Sequence, residues 1–81
     1  MPLTHAQFLR AELRIGFTAS KIALRADTTE RQNRNRVAAR KAYDALQRFR
    51  PKAILTKDQV QEIDMRTEEL RAQLRLLGER V

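Results

Sequence analysis

From Val60 to Val81 the sequence repeats one spacing: Val60, Ile63, Thr67, Leu70, Leu74, Leu77 and Val81 are separated by 3, 4, 3, 4, 3 and 4 residues. A strand brings every second residue to one face, so this series would be scattered over both sides of a sheet. On a helix, the same spacing draws one narrow line along one side. The last third of the chain is therefore a helix with an apolar seam that other elements must cover. Its start is marked as well. Thr56 and Gln59 have the spacing of a reciprocal capping box, and Leu55 and Val60 flank the cap as a hydrophobic staple. Gly78 suits the left-handed residue that closes a helix.

The rest of the chain can supply that cover only as more helix. No segment alternates with period two. Glycines and prolines number two each, and they fall where they punctuate: Pro2 opens the chain, Pro51 interrupts it and Gly78 stands near its end. The sequence predicts helices at roughly 4–26, 29–50 and 56–77. Thr4 with Gln7 forms the first capping box. On the first helix, Leu9, Leu13, Gly16, Phe17, Ser20, Ala23 and Leu24 share one side, and Phe8, Ile15, Ala19, Ile22 and Ala26 the next. Arg10, Arg14, Lys21 and Arg25 take what remains. Gly16 costs roughly 1 kcal/mol against alanine inside a helix, which a close helix crossing would explain. Asp27, Thr28 and Thr29 offer the next caps, with Thr29–Gln32 or Asp27–Glu30 as boxes. On the second helix Ala38, Ala39, Ala42, Tyr43, Ala45, Leu46 and Phe49 share a face. Tyr43 is expected at its margin with a wet hydroxyl, and Leu46 and Phe49 are expected to fill the far end. Pro51 should end this helix, because the residue before proline avoids helical angles.

Short connections make successive helices antiparallel neighbours. The expected fold is all-α, an up-down-up three-helix bundle in one domain spanning 1–81. A chain of 81 residues buries only about 60% of its unfolded surface, so its core is small. No cysteine is present, which excludes disulfides and thiol chemistry. No apolar run reaches the ~20 residues of a membrane span, and the N-terminal stretch does not read as a secretory signal. A cytoplasmic location is the default expectation.

Charge is the most uneven property. The net +7 is concentrated in residues 28–52, where eight basic and two acidic side chains leave +6. Such asymmetry favours acidic partners. The stretch "RNRVAARKAYDAL" resembles the basic region of leucine-zipper transcription factors through Asn35, Ala38, Ala39 and Lys41. The resemblance fails where that family places its key arginine, here Tyr43, and its next basic residue, here Ala45, and Pro51 interrupts any zipper. Arg34, Arg36, Arg40 and Lys41 still form a candidate basic surface. Because they straddle the apolar face as two rims, nucleic-acid binding is the alternative reading and not the favoured one. Catalysis has little support. His5, the only histidine, reads as a surface or capping residue. Glu12 falls within the apolar arc, where an ion pair with an arginine such as Arg48 is expected. Glu62, Glu68 and Glu69 are expected to pair along their own helix with Lys57, Arg66 or Arg71. No glycine-rich phosphate loop or metal-ligand spacing occurs, so no catalytic residue, cofactor or metal is expected.

The segments "RKAYDALQRF" and "RTEELRAQL" are similar to the second and third helices of the microtubule-interacting and transport (MIT) domain. More loosely, the chain resembles tetratricopeptide-like helical bundles. The resemblance implies a non-enzymatic adaptor that binds a short amphipathic or acidic segment of a partner protein against its third helix. It places Met65, Ala72 and Leu76 in the groove walls, with Arg66 and Arg75 near enough to pair acidic residues. Those apolar residues also lie opposite the heptad seam, where one core does not cover them. A monomer is favoured because the internal core has first claim on the seam, with a homodimer through the third helix as the other outcome.

Overall fold

A computed structural model describes residues 3–81, so the expectation placed on Pro2 lies outside the described residues. Three helices form: α1 (His5–Leu24), α2 (Thr29–Phe49) and α3 (Lys57–Leu76), with a 3₁₀ turn (Arg50–Lys52) after α2. The boxes Thr4–Gln7 and Thr56–Gln59 are present with both of their hydrogen bonds. The second cap is neither Thr29 nor Asp27. Thr28 takes that place, and its hydroxyl accepts from the Arg31 N–H. An arginine has no acceptor group with which to return the bond, so this cap is single. At the C-terminus of α3, Gly78 has φ +90°. The Glu79 N–H reaches the Leu74 carbonyl and the Gly78 N–H that of Arg75, each at 3.0 Å, the paired bonds of a Schellman closure.

The second α-helix ends at Phe49, just before Pro51, as the sequence suggested, but not because the residue before the proline leaves helical angles. Arg50 keeps helical angles (φ −55°, ψ −45°), and the turn runs on through the proline. Proline is tolerated in a first turn, where its missing N–H would have no partner. The Arg50 guanidinium adds a tertiary anchor, with two hydrogen bonds to Asp64 of α3 at 2.7 and 3.0 Å.

Contacts along the helices give their directions. Phe8 stacks edge-on against Phe49, with ring centroids 5.2 Å apart, and a Cβ on Gly16 would stand 3.4 Å from that of Ala42. Positions early in α1 thus meet positions late in α2, the antiparallel arrangement. Arg10 pairs with Glu62, and Gly16 abuts Leu70, so α1 and α3 run parallel. The result is the up-down-up bundle, with α1 packed most extensively on α2, less on α3, and α2 touching α3 least.

The core is made by Ala6, Leu9, Leu13, Ala19 and Ala23 of α1, Ala39, Ala42, Tyr43 and Leu46 of α2, and Ile63, Leu70 and Leu74 of α3. Each fully buried leucine or isoleucine contributes about 1.5–3 kcal/mol. Ser20 is also fully buried, with its hydroxyl donating to the Phe17 carbonyl at 3.1 Å. Gly16 lies at the triple contact: an added Cβ would meet Leu70 Cδ2 at 2.6 Å. Three expectations need correction. Tyr43 is 5% exposed and belongs to the core instead of its margin. Phe49 is an exposed partner of Phe8 and not the plug of the far end. Ile15 and Ile22 stay exposed, because α2 and α3 cover only the side of α1 that lies between them; Leu24, on the covered side, is exposed as the last residue of the helix.

Candidate functional site

The expected basic surface on α2 splits in two. Arg36 and Arg40 both bond to Glu79, whose side chain is 12% exposed. Arg40 also pairs with Asp44 at 3.0 Å, and its pKa is raised first by that bond and then by Glu79. The cause is local: Gly78 reverses the backbone and delivers Glu79 onto α2. These two arginines hold the C-terminal segment in place. Arg34 and Lys41 make no ion pair among the described residues and are exposed. With Arg48 they form a row at every seventh position on the outer side of α2.

The residues expected to form a partner groove are also divided. Met65 and Leu76 are 60% and 73% exposed, and Ala72 is exposed between them. They share the face of α3 turned away from the bundle. Arg66 and Arg75 do not reach freely over it. Arg66 bonds to Glu69 at 3.0 Å and lies 4.4 Å from the centre of the Phe17 ring, a cation–π contact with α1. Arg75 Nε donates to the Val81 carbonyl at 2.7 Å.

The α1–α3 side brings together residues that the sequence reading had left as solvated surface. Arg10 of α1 makes two hydrogen bonds to Glu62 of α3, at 2.6 and 3.1 Å. That bond holds the Glu62 carboxyl below its ordinary range and raises the Arg10 guanidinium. Glu62 was expected to pair along its own helix; Glu68 with Arg71 and Glu69 with Arg66 do so. Beside the Arg10–Glu62 bridge runs a cleft of about 370 Å³ bordered by Arg14, Phe17, Thr18, Lys21 and Arg66. Arg14, Lys21 and Arg25 have no acidic partner among the described residues. With Arg10 they make one row of four cations along the outside of α1, next to exposed Ile15 and Ile22. Their spacing of 4, 7 and 4 was the available signal. It was overshadowed by the denser charge of residues 28–52.

His5 has a tertiary role: its Nδ1 accepts the Ile54 N–H at 2.7 Å and ties the start of α1 to the connector before α3. Glu12 makes no ion pair with Arg48, which is exposed and has no acidic partner among the described residues. Near His5, an apolar cleft of about 320 Å³ opens between Leu3, Phe8, Leu9, Phe49 and Ala53. No group of three or more His, Cys, Asp or Glu that could hold a metal gathers among the described residues. No helix among them is long and apolar enough to cross a membrane. Compared with known proteins, the chain matches no family model, no curated protein and no solved structure.

Proposed function

We propose that this chain is a non-enzymatic helical interaction module that docks an acidic amphipathic helix along the outside of α1. The carrying observation is the cation row Arg10, Arg14, Lys21 and Arg25, three of whose members have no acidic partner among the described residues, beside the exposed side chains of Ile15 and Ile22. A helix laid parallel to α1 would place carboxylates on the row and apolar side chains on Ile15 and Ile22, the usual chemistry of a helix held by a helical face. The MIT-like wording of α2 and α3 agrees with an adaptor role. It pointed to α3 as the receiving helix, but the exposed sector of α3 around Met65 and Leu76 is flanked by Glu62 and Glu69. Those carboxylates would repel an acidic segment.

The test is fluorescence anisotropy with a labelled synthetic helix of about 18 residues, five turns long, carrying leucine on one face and glutamate beside it. Binding should weaken with salt and be lost in Arg14→Glu/Lys21→Glu, with circular dichroism unchanged. Equal binding by this variant would sink the reading.

A second reading has one observation in its favour, the unpaired row Arg34, Lys41 and Arg48 on α2. Phosphate contacts need little more than such charge. Retention on DNA at about 0.15 M salt, lost in Arg34→Gln/Lys41→Gln/Arg48→Gln, would support nucleic-acid binding. Absence of retention would reject it.

A further inference from the structure

The side of the bundle formed by α1 and α3 carries two rows of opposite character. On α1 the row is Arg10, Arg14, Lys21 and Arg25. On α3 it is Asp58, Glu62, Met65, Glu69 and Leu76, all exposed. The spacings, 4, 7, 4 on α1 and 4, 3, 4, 7 on α3, keep each row on one side of its helix. The Arg10–Glu62 bridge crosses the groove between the rows. It therefore fixes both their shared side and their common height.

We propose that this face pairs with the same face of a second copy of the chain, about a two-fold axis that runs along the α1–α3 groove. The inference rests on the docking reading above and names the acidic amphipathic helix as α3 of another copy. Two parallel rows of opposite charge are self-complementary under only one kind of operation. A two-fold axis between the rows and parallel to them lays the α1 row of each copy on the α3 row of the other. Because α1 and α3 run in the same direction, both new helix pairs are parallel, and the interface closes on itself as an isologous dimer.

A two-fold rotation leaves heights unchanged. Since Arg10 and Glu62 are level within one chain, Arg14 of one copy stands four residues above Glu62 of the other, a rise of about 6 Å. Arg14 also stands about one turn below Glu69 of that copy. Both distances are within reach of an arginine side chain. Lys21 falls between Glu69 and Leu76. Met65 and Leu76 would be covered by the aliphatic stems of Arg14 and Lys21 and by Phe17 and Thr18, which border the groove.

Besides the α1 row one cation borders the groove, Arg66, and it is held within its own chain by Glu69 at 3.0 Å and by the Phe17 ring. The chain's excess lies in residues 28–52, and the α2 cations Arg34, Lys41 and Arg48, unpaired among the described residues, are on the far side, away from the interface. A molecule 40 Å long offers enough face for the roughly 800 Å² per partner of a standard interface.

The test is sedimentation equilibrium from about 1 µM to about 1 mM, the range that separates stable from transient association. The wild-type chain should dimerise. Arg14→Glu/Lys21→Glu reverses the two cations that stand opposite Glu62 and Glu69 of the other copy, and Glu62→Lys/Glu69→Lys reverses those two carboxylates, so that in either variant these facing positions carry like charges. Each variant alone should associate at least about a hundredfold more weakly, since like charges then oppose each other. Mixed in equal amounts, the two variants should recover a one-to-one dimer, because every reversed row then meets its opposite. Glu62→Lys also removes the bridge to Arg10 and Glu69→Lys the bond to Arg66, so circular dichroism and the urea midpoint of each variant alone check that the fold is intact, and the recovery on mixing separates lost pairing from lost structure. A wild-type chain that stays monomeric at the highest concentration overturns the proposal, as does a wild-type dimer whose paired variants fail to recover association. If that monomer still binds the synthetic acidic helix through Arg14 and Lys21, the docking reading survives and only the second copy is rejected. If it binds neither, both are rejected.

Discussion

Gly16→Ala tests the packing at the centre of the bundle. On helix propensity alone, alanine should stabilise α1 by about 1 kcal/mol. The surroundings oppose it. The new methyl would stand 2.6 Å from Leu70 Cδ2, 3.2 Å from Leu70 Cδ1 and 3.4 Å from the Ala42 Cβ. Carbon contacts are comfortable from about 3.5 Å, so Leu70 must move by nearly 1 Å. Leu70 is fully buried, and a close-packed interior leaves it little room to turn. Overpacking of this kind costs about 1–3 kcal/mol. Set against the propensity gain, the net effect is a loss of up to about 2 kcal/mol, or roughly 4–8 °C in Tm for each kcal/mol in a domain of this size. Urea unfolding followed by far-UV circular dichroism measures it. Leu70→Ala separates steric overlap from other causes. Alone it should cost about 2–5 kcal/mol through the cavity it leaves. In the Gly16→Ala background the added methyl has room, and the cost should fall by about 0.5–3 kcal/mol, the coupling expected of residues in contact. If Gly16→Ala raises the urea midpoint and the two changes add, the close crossing does not exist and the reasoning is wrong.

Glu79→Gln weakens the two charged bonds that hold the C-terminal segment on α2, and should lower stability by about 1–2 kcal/mol; amide exchange at Leu77 and Gly78 should quicken with it. Gly78→Ala forces a side chain into φ +90° at a cost of about 1–2 kcal/mol, and Gly78→Asn should lose less in the same melt. The Glu62 carboxyl is held below its ordinary value of 4.5 by the hydrogen bond from Arg10. A folded-state pKa below the unfolded one means that the bridge stabilises fully above the unfolded value and is lost as pH falls through the folded one. The difference in urea midpoint between wild type and Glu62→Gln should therefore be constant near neutrality and shrink below pH 4.5; a constant difference down to strong acid would show that the bridge is not ionic.

What the sequence made legible was local. The α3 seam, two capping boxes and the left-handed Gly78 each depend on residues within one or two turns, and each has a single physical interpretation. Three helices with short connections then leave few ways to bury their faces. The misjudged features depend on distant partners. Glu79 reaches Arg36 and Arg40 across 43 and 39 positions, Arg10 reaches Glu62 across 52, and the His5–Ile54 bond spans 49. Charge patterning suggests only neighbours at three or four residues, so it gave Glu62 to its own helix and left Arg36 and Arg40 free. The breadth of the α1 arc misled for another reason. Ile15 and Ile22 continue the apolar side, but two neighbouring helices cannot surround a third. The proline rule at Pro51 was overridden by Arg50, which Asp64 holds from α3.

That division bears on function. Among the described residues six arginines take part in ion pairs, and four of these (Arg10, Arg36, Arg40 and Arg50) join one helix to another element of the fold. The unpaired cations on α1 contribute nothing of this sort. Arg10 with Arg14, and Lys21 with Arg25, are like charges four residues apart, each pair costing about 0.2–0.5 kcal/mol. Position near the end of the helix offsets this for Lys21 and Arg25, where the dipole favours a cation by about 0.3–1 kcal/mol. Arg14 has no such compensation: it lies in mid-helix, exposed, beside a like charge and without an acid. It is the cation whose presence the fold explains least. It also stands midway between the heights of Glu62 and Glu69 in a paired copy, where a carboxylate from outside the chain would meet it.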